Sequence, residues 1–349
     1  MLRDAVPAAA CLAAAALHLA AYLGALEMDP LVELALTVPA MGWLAVRASE
    51  EMVEGLRGIS ESVGISPYVA GVLGSLASNT PDVLITLFAA LSGSEEMVEV
   101  AVLSSMMGVG FSIGLVATSV LAAWATAGGR AVEVPREALT DELNALAFTL
   151  TAYLALSVAS VARLLGGRES HLPVGTGLLL IGAYLSYLAA SLSRQRLRGE
   201  GEKGAALRHL VRVGLSVALV VAAAHMMVSS TERVVEGGGL TLVQASAVLA
   251  FVGVVPEHSS AVVAALRGEV DVAMGTSLGS VTQTALLVVG VLASVVPLPL
   301  DDYVVAQMGV TAASALLLKF FVRDDGRVDV GESAMLILLQ ALAFELMLT

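Results

Sequence analysis

The sequence predicts an all-α, polytopic integral membrane protein with about eleven transmembrane helices, and three observations carry that expectation. Of its 349 residues 57% are apolar and only 14% are charged, and the mean hydropathy is +0.87, far above that of soluble domains. The apolar residues come in repeated runs of roughly 20, the length a helix needs to cross a bilayer core. Those runs do not alternate apolar with polar as barrel strands would. Helices satisfy their own backbone hydrogen bonds in lipid, so they are the class that remains.

Taken in order, the spans are expected at about 6–26, 31–56, 66–92, 96–123, 139–163, 173–193, 210–236, 241–266, 270–296, 302–322 and 331–348. The first lies in an alanine-rich stretch after Arg3. Residues 1–30 therefore read either as an extra N-terminal transmembrane helix or as a cleaved signal peptide. Cys11 is the single cysteine, which excludes a disulfide framework and a thiol metal site. Residues 31–193 and 213–349 form two halves, joined by the basic stretch RQRLRGEGEKGAALRHLVR, Arg194 to Arg212, with six Lys or Arg. The positive-inside rule places this 194–212 loop in the cytoplasm. Alternation then puts Arg3, Arg57, Arg130, Arg136, Arg267, Arg323 and Arg327 on the same side, and only Arg163 and Arg168 on the other. The N-terminus is thus expected inside and the C-terminus outside, in the cell membrane. The net charge of −13 reads as solvated acidic loops.

The two halves repeat one another. Setting Pro81 against Pro256 aligns PDVLITLFAALSG with PEHSSAVVAALRG, which share Pro, a following acid, Ala-Ala-Leu and a closing Gly. Upstream, ASEEMVEG from Ala48 faces STERVVEG from Ser230; downstream, Ser105 and Ser280 each lie 23 residues after their acid. Five crossings separate the two acid-bearing helices, and an odd number inverts their direction. The expected architecture is therefore two inverted five-helix repeats, with cores at 66–123 and 241–296 and a substrate site near the midplane formed by broken helices.

Asp82 and Glu257 are the residues of greatest interest, because an acid inside a membrane span is costly and defaults to a functional reading. Pro81 and Pro256 cannot donate a backbone hydrogen bond and crowd the preceding turn. Each is expected to break or kink its helix just ahead of the acid, with Gly74 and Gly253 loosening the same regions. Freed carbonyls and a carboxylate are oxygen ligands suited to a hard cation. His258 titrates in the range useful for proton transfer, or packs as a neutral imidazole. His225 is expected to be structural. Glu50, Glu51, Glu54, Glu232 and Glu236 read as solvated helix ends or as an access funnel.

At these residues the chain resembles the calcium/cation antiporter superfamily, whose two alpha-repeats carry a small-residue stretch, Pro-Glu or a near variant, and a following Gly-Ser helix. The second copy resembles the cation/proton exchanger branch: Pro256, Glu257 and His258 are followed by a helix with Gly279, Ser280 and Gln283. The first copy departs from the pattern, with Asp82 for the usual Glu and Val109 where Asn is frequent, while Ser105 is retained. The resemblance implies a secondary antiporter exchanging a divalent cation, calcium first, for protons. Asp82 and Glu257 would be primary ligands and proton carriers, Asn79, Ser78, Ser105 and Ser280 secondary ligands, and Gln283 and His258 tuning groups. Inorganic cations and the lipid bilayer are the expected partners, with no nucleic acid and no cofactor beyond the transported ions. A sodium/calcium exchanger is the alternative within the class, which Val109 disfavours. A membrane-embedded hydrolase using the two acids is the alternative outside it, but the sequence carries no hydrolase motif.

Overall fold

The computed structural model describes residues 2–63, 67–127, 132–133, 139–167, 171–193, 206–299, 302–324 and 326–348. Arg130, Arg136, Arg168 and residues 194–205 of the basic stretch lie outside the described residues. The helices are α1 Leu2–Tyr22, α2 Pro30–Val63, α3 Pro67–Ser78, α4 Thr80–Ala90, α5 Glu95–Thr126, α6 Thr140–Leu165, α7 Val174–Ser193, α8 Ala206–Glu236, α9 Leu242–Leu266, α10 Val270–Gln283, α11 Val289–Val295, α12 Asp302–Asp324 and α13 Val330–Leu348. A π turn, Thr284–Val288, joins α10 to α11 in one continuous rod. With α3 and α4 taken as one interrupted span, the described helices make eleven, the number the apolar runs predict. Seven of them are long and apolar enough to cross a membrane by length and composition, and α1 and α7 contain shorter apolar stretches.

Local chemistry sets the helix ends. Asp29 accepts from the backbone N–H of Leu31 at 2.9 Å and of Val32 at 3.2 Å, with Pro30 opening α2. Thr241 and Gln244 exchange side-chain and backbone bonds of 3.0 and 3.2 Å at the start of α9, and Asp329 with Glu332 does the same for α13. α9 is followed by Gly268 at φ +79°, a left-handed position that costs glycine nothing.

The chain forms two compact units, Met1–Ala101 with Leu192–Pro256, and Val102–Ser191 with Glu257–Thr349. In the first, α2 and α8 pack along their length, and Arg212 donates from Nε to Glu51 and from Nη2 to Glu54, each at 2.5 Å. Arg208 and Arg212 thus belong to α8, which begins within the stretch expected as loop. In the second unit α6 packs on α12, and two short antiparallel strand pairs, β1 (Val132–Glu133) with β4 (Arg327–Val328) and β2 (His171–Leu172) with β3 (Leu298–Pro299), tie its loops. Leu178 and Leu179 on α7, Leu215 on α8 and Leu338 on α13 are exposed, as lipid-facing positions are. Core positions hold small residues, so backbones approach closely.

Two expectations about helix breaks need correction. Gly74 lies inside α3, and the first-copy interruption falls at Asn79 instead. There Pro81 removes the N–H that Ala77 would accept, and the flanking ladder bonds, Asn79 N to Ser75 O and Val83 N to Asn79 O, stretch to 3.3 and 3.2 Å. In the second copy Gly253 and Pro256 do not break the helix: α9 runs uninterrupted from Leu242 to Leu266. A proline deletes a single ladder bond, and buried neighbours such as Leu249, Val254 and Ala261 hold the rod together by packing.

Candidate cation site

In the first unit the interruption sets up Asp82. It stands in the first turn of α4, and it is buried at 2% exposure. Asn79, one turn earlier, is equally buried, and neither its amide oxygen nor its nitrogen has a hydrogen-bond partner. Ser78 is half-buried and spends its hydroxyl on Ser75 O at 2.8 Å, leaving only its oxygen lone pairs for a ligand.

Gly253 has a role unlike the one expected of it. A β-carbon at that position would stand 2.9 Å from Asp82 Oδ1 and 3.4 Å from Asp82 Cα, so the missing side chain lets the carboxylate lie against the α9 backbone. Gly253→Ala is therefore expected to displace the Asp82 carboxylate and weaken calcium affinity about tenfold, equivalent to ~1.4 kcal/mol. Helix propensity favours alanine there by ~1 kcal/mol, so the melting temperature without calcium should hold. Calcium titration by thermal shift checks this, and unchanged affinity would refute the contact.

In the second unit two of the residues expected around Glu257, His258 and Ser280, come together with it. Glu257 and His258 are each 1% exposed, Ser280 1%, and Ser105 and Gln283 0%. His258 Nε2 lies 3.3 Å from Glu257 Oε1 and 3.3 Å from Ser280 Oγ. A ring nitrogen either carries a proton or accepts one. Nε2 thus donates to the carboxylate in one tautomer or accepts from the serine in the other. Ser112 Oγ donates to Glu257 Oε1 at 3.3 Å, a residue the sequence reading passed over. Its signal was present: Ser112 lies seven residues beyond Ser105, two turns along the same face of α5. Ser277, Thr282 and Thr284 add buried hydroxyls without partners, groups that cost stability unless water or an ion completes them.

A third buried acid was also missed. Glu33, at 0% exposure, meets Arg233 Nη1 at 2.6 Å and His18 Nδ1 at 2.7 Å, and His18 Nε2 pairs with Ser229 Oγ at 3.0 Å. This network ties α1 to α2 and α8. Its acid is neutralised by an arginine, whereas Glu257 meets His258 and Ser112. His225 lies tilted against Phe88, with 5.6 Å between ring centroids, a packing contact. Glu232 and Glu236 line an open cleft of about 520 Å³ with Ser92, Glu95 and Glu96. Among the described residues no three His, Cys, Asp or Glu side chains are grouped to hold a metal ion, so any cation bound at these acids would lean on hydroxyl, amide and carbonyl oxygens.

An apolar multi-helix chain with buried carboxylates beside a helix interruption, a π turn and unpartnered oxygens is a membrane transport protein by its architecture. The chain belongs to the sodium/calcium exchanger protein family, whose model matches residues 34–193 and 209–347. It is similar to vacuolar cation/proton exchanger 1b of Oryza sativa subsp. japonica, 25% identical over 323 residues, 83% of this chain and 70% of that protein. Exchanger 1a of the same plant is 24% identical over 74% of this chain and 63% of its own length. The chain thus spans about two thirds of these relatives. Among solved structures, the H+/Ca2+ exchanger CAX has a TM-score of 0.69 at 16% identity, covering 96% of this chain and 90% of that one. YfkE has a TM-score of 0.69 at 20% identity, with coverages of 97% and 98%. The sodium-calcium exchanger NCX_Mj has 0.63 at 16%, with 89% and 98%. At such identities these likenesses establish the fold.

Proposed function

We propose that this chain is a secondary antiporter that exchanges a divalent cation, calcium first, for protons by alternating access across the cell membrane. The observation that carries the reading is Glu257, whose Oε1 lies 3.3 Å from both His258 Nε2 and Ser112 Oγ, a carboxylate set among groups that exchange protons. Asp82 holds the matching position in the first copy. Each buried carboxylate carries charge that a divalent cation neutralises, and protons replace the cation when it leaves. Metal and proton therefore occupy the acids in alternation. Asn79, Ser78, Ser105, Ser280 and Gln283 supply neutral oxygens, and His258 tunes the protonation of Glu257. The names of the plant relatives, cation/proton exchangers, support protons as the coupling ion. The repeats are read as inverted, with the N-terminus and the basic stretch in the cytoplasm.

Flux measurements on the reconstituted protein decide the coupling. In sealed liposomes a pH gradient is expected to drive calcium uptake, whereas a sodium gradient at clamped pH drives none. Sodium-driven flux without proton-driven flux would move the protein to the sodium/calcium alternative, and calcium-independent inertness to both gradients would remove the transporter reading.

A further inference from the structure

We infer that Tyr153 is a positioning residue for the cation site, acting through the π turn that follows Gln283; the inference rests on the function proposed above. The turn occupies Thr284–Val288, and at its end the N–H of Val289 bonds to Thr284 O, five residues back. In a regular α-helix that N–H would go to Ala285 O. The Ala285 carbonyl has therefore lost its helical donor in a fully buried place. The Tyr153 hydroxyl, carried by α6, donates to Ala285 O at 3.0 Å. Tyr153 is itself 0% exposed, and a buried phenol needs such a partner. Each group solves the other's problem, and the wide turn persists because the carbonyl it orphans is satisfied from outside the helix.

The turn matters because of what lies on either side of it. Beyond it, α11 is pinned: a β-carbon on Gly290 would meet Gly177 O and Ile181 N at 3.1 Å, so this end of the rod is seated on α7. Before it stand Ser280 and Gln283. A π turn holds one residue more than the α-helical turn it replaces. Resorbing it would rotate everything upstream by about 100° relative to the pinned end and shift it by about 1.5 Å. Ser280 would then lose its place beside His258. Tyr153 touches no ion in this scheme; it fixes the register in which the ligands are presented.

Tyr153→Phe removes the hydroxyl and keeps the ring. The expected result has two parts: the half-saturating calcium concentration rises at least about tenfold with the maximal rate changed less than about threefold, and a structure of the variant shows residues 284–288 as regular α-helix. A retained π turn overturns the role of Tyr153 whatever the transport does, and a resorbed turn with unchanged half-saturation overturns the link to the site. A wild-type protein that moves no calcium overturns the functional reading, and is told apart because the structural arm still decides whether Tyr153 holds the turn. Deletion of Leu286 from the Tyr153→Phe chain removes the extra residue, so a regular helix then leaves the flanking residues in their original register. It should restore calcium affinity toward the wild type, and an undiminished defect would sink the inference.

Discussion

Asp82→Asn and Glu257→Gln are each expected to abolish proton-driven calcium exchange, by about a hundredfold or more, as loss of one buried charge interaction of ~3 kcal/mol implies. The amides keep the shape of the acids but lose the charge that balances the cation and the proton that replaces it. The sign on stability is the discriminating part. A carboxylate at 1–2% exposure is costly to desolvate when no cation is bound, so the amide variants should melt at the same temperature as the parent or higher without calcium. Calcium should then raise the melting temperature of the parent and not of the variants. Asp82→Glu should retain activity, because it keeps the charge and the titrating proton at the cost of one methylene of crowding. Amide variants that still exchange calcium, or that lose calcium-free stability, would make these acids structural.

Glu33 shows why the distinction could not be drawn from the sequence. It too is an acid in an apolar run, yet it is neutralised by Arg233 at 2.6 Å and joined by His18 at 2.7 Å, partners 200 and 15 residues away in the chain. What separated Asp82 and Glu257 from it in the sequence was the repeat: matched prolines, matched acids and matched serines at one offset. Composition and run length were enough for an all-helical membrane fold and its eleven spans, since lipid leaves the backbone so few choices.

The irregularities were less legible, because they depend on packing. By sequence the two copies should be distorted alike, at the helix before each acid. The structure distorts them differently: the first copy is interrupted at Asn79, while the second keeps α9 whole and widens the next helix into the π turn at Thr284–Val288. Pro81 and Pro256 are the same residue with the same missing N–H, so local chemistry cannot tell them apart. The π turn depends on Tyr153, a contact across 132 residues, and no period in α10 announces it. Gly253 misled for a similar reason. Glycine in a helix signals either looseness or close approach, and only the position of Asp82 decides between them.

Gly177→Ala is expected to be the most damaging single-methyl change in the second unit, costing ~3 kcal/mol or more and depleting folded protein. A β-carbon at Gly177 would stand 2.5 Å from Gly290 O and Ser294 N and 2.6 Å from Ala293 C. These are helix backbone atoms, which cannot swing aside as the end of a side chain can, so α7 and α11 would have to part. The same helix supplies the control. Gly182 has nothing within 4 Å of the place its β-carbon would take, so Gly182→Ala should be neutral or stabilise by up to ~1 kcal/mol through helix propensity alone. Melting curves of the two variants in detergent compare a methyl against backbone with a methyl in open space. Equal melting temperatures would mean that α7 and α11 do not approach through these glycines. The pinned end on which the register of Ser280 and Gln283 depends would then be lost as well. A large gap between the two variants, with calcium affinity impaired in whatever Gly177→Ala protein survives, is the result that the packing requires.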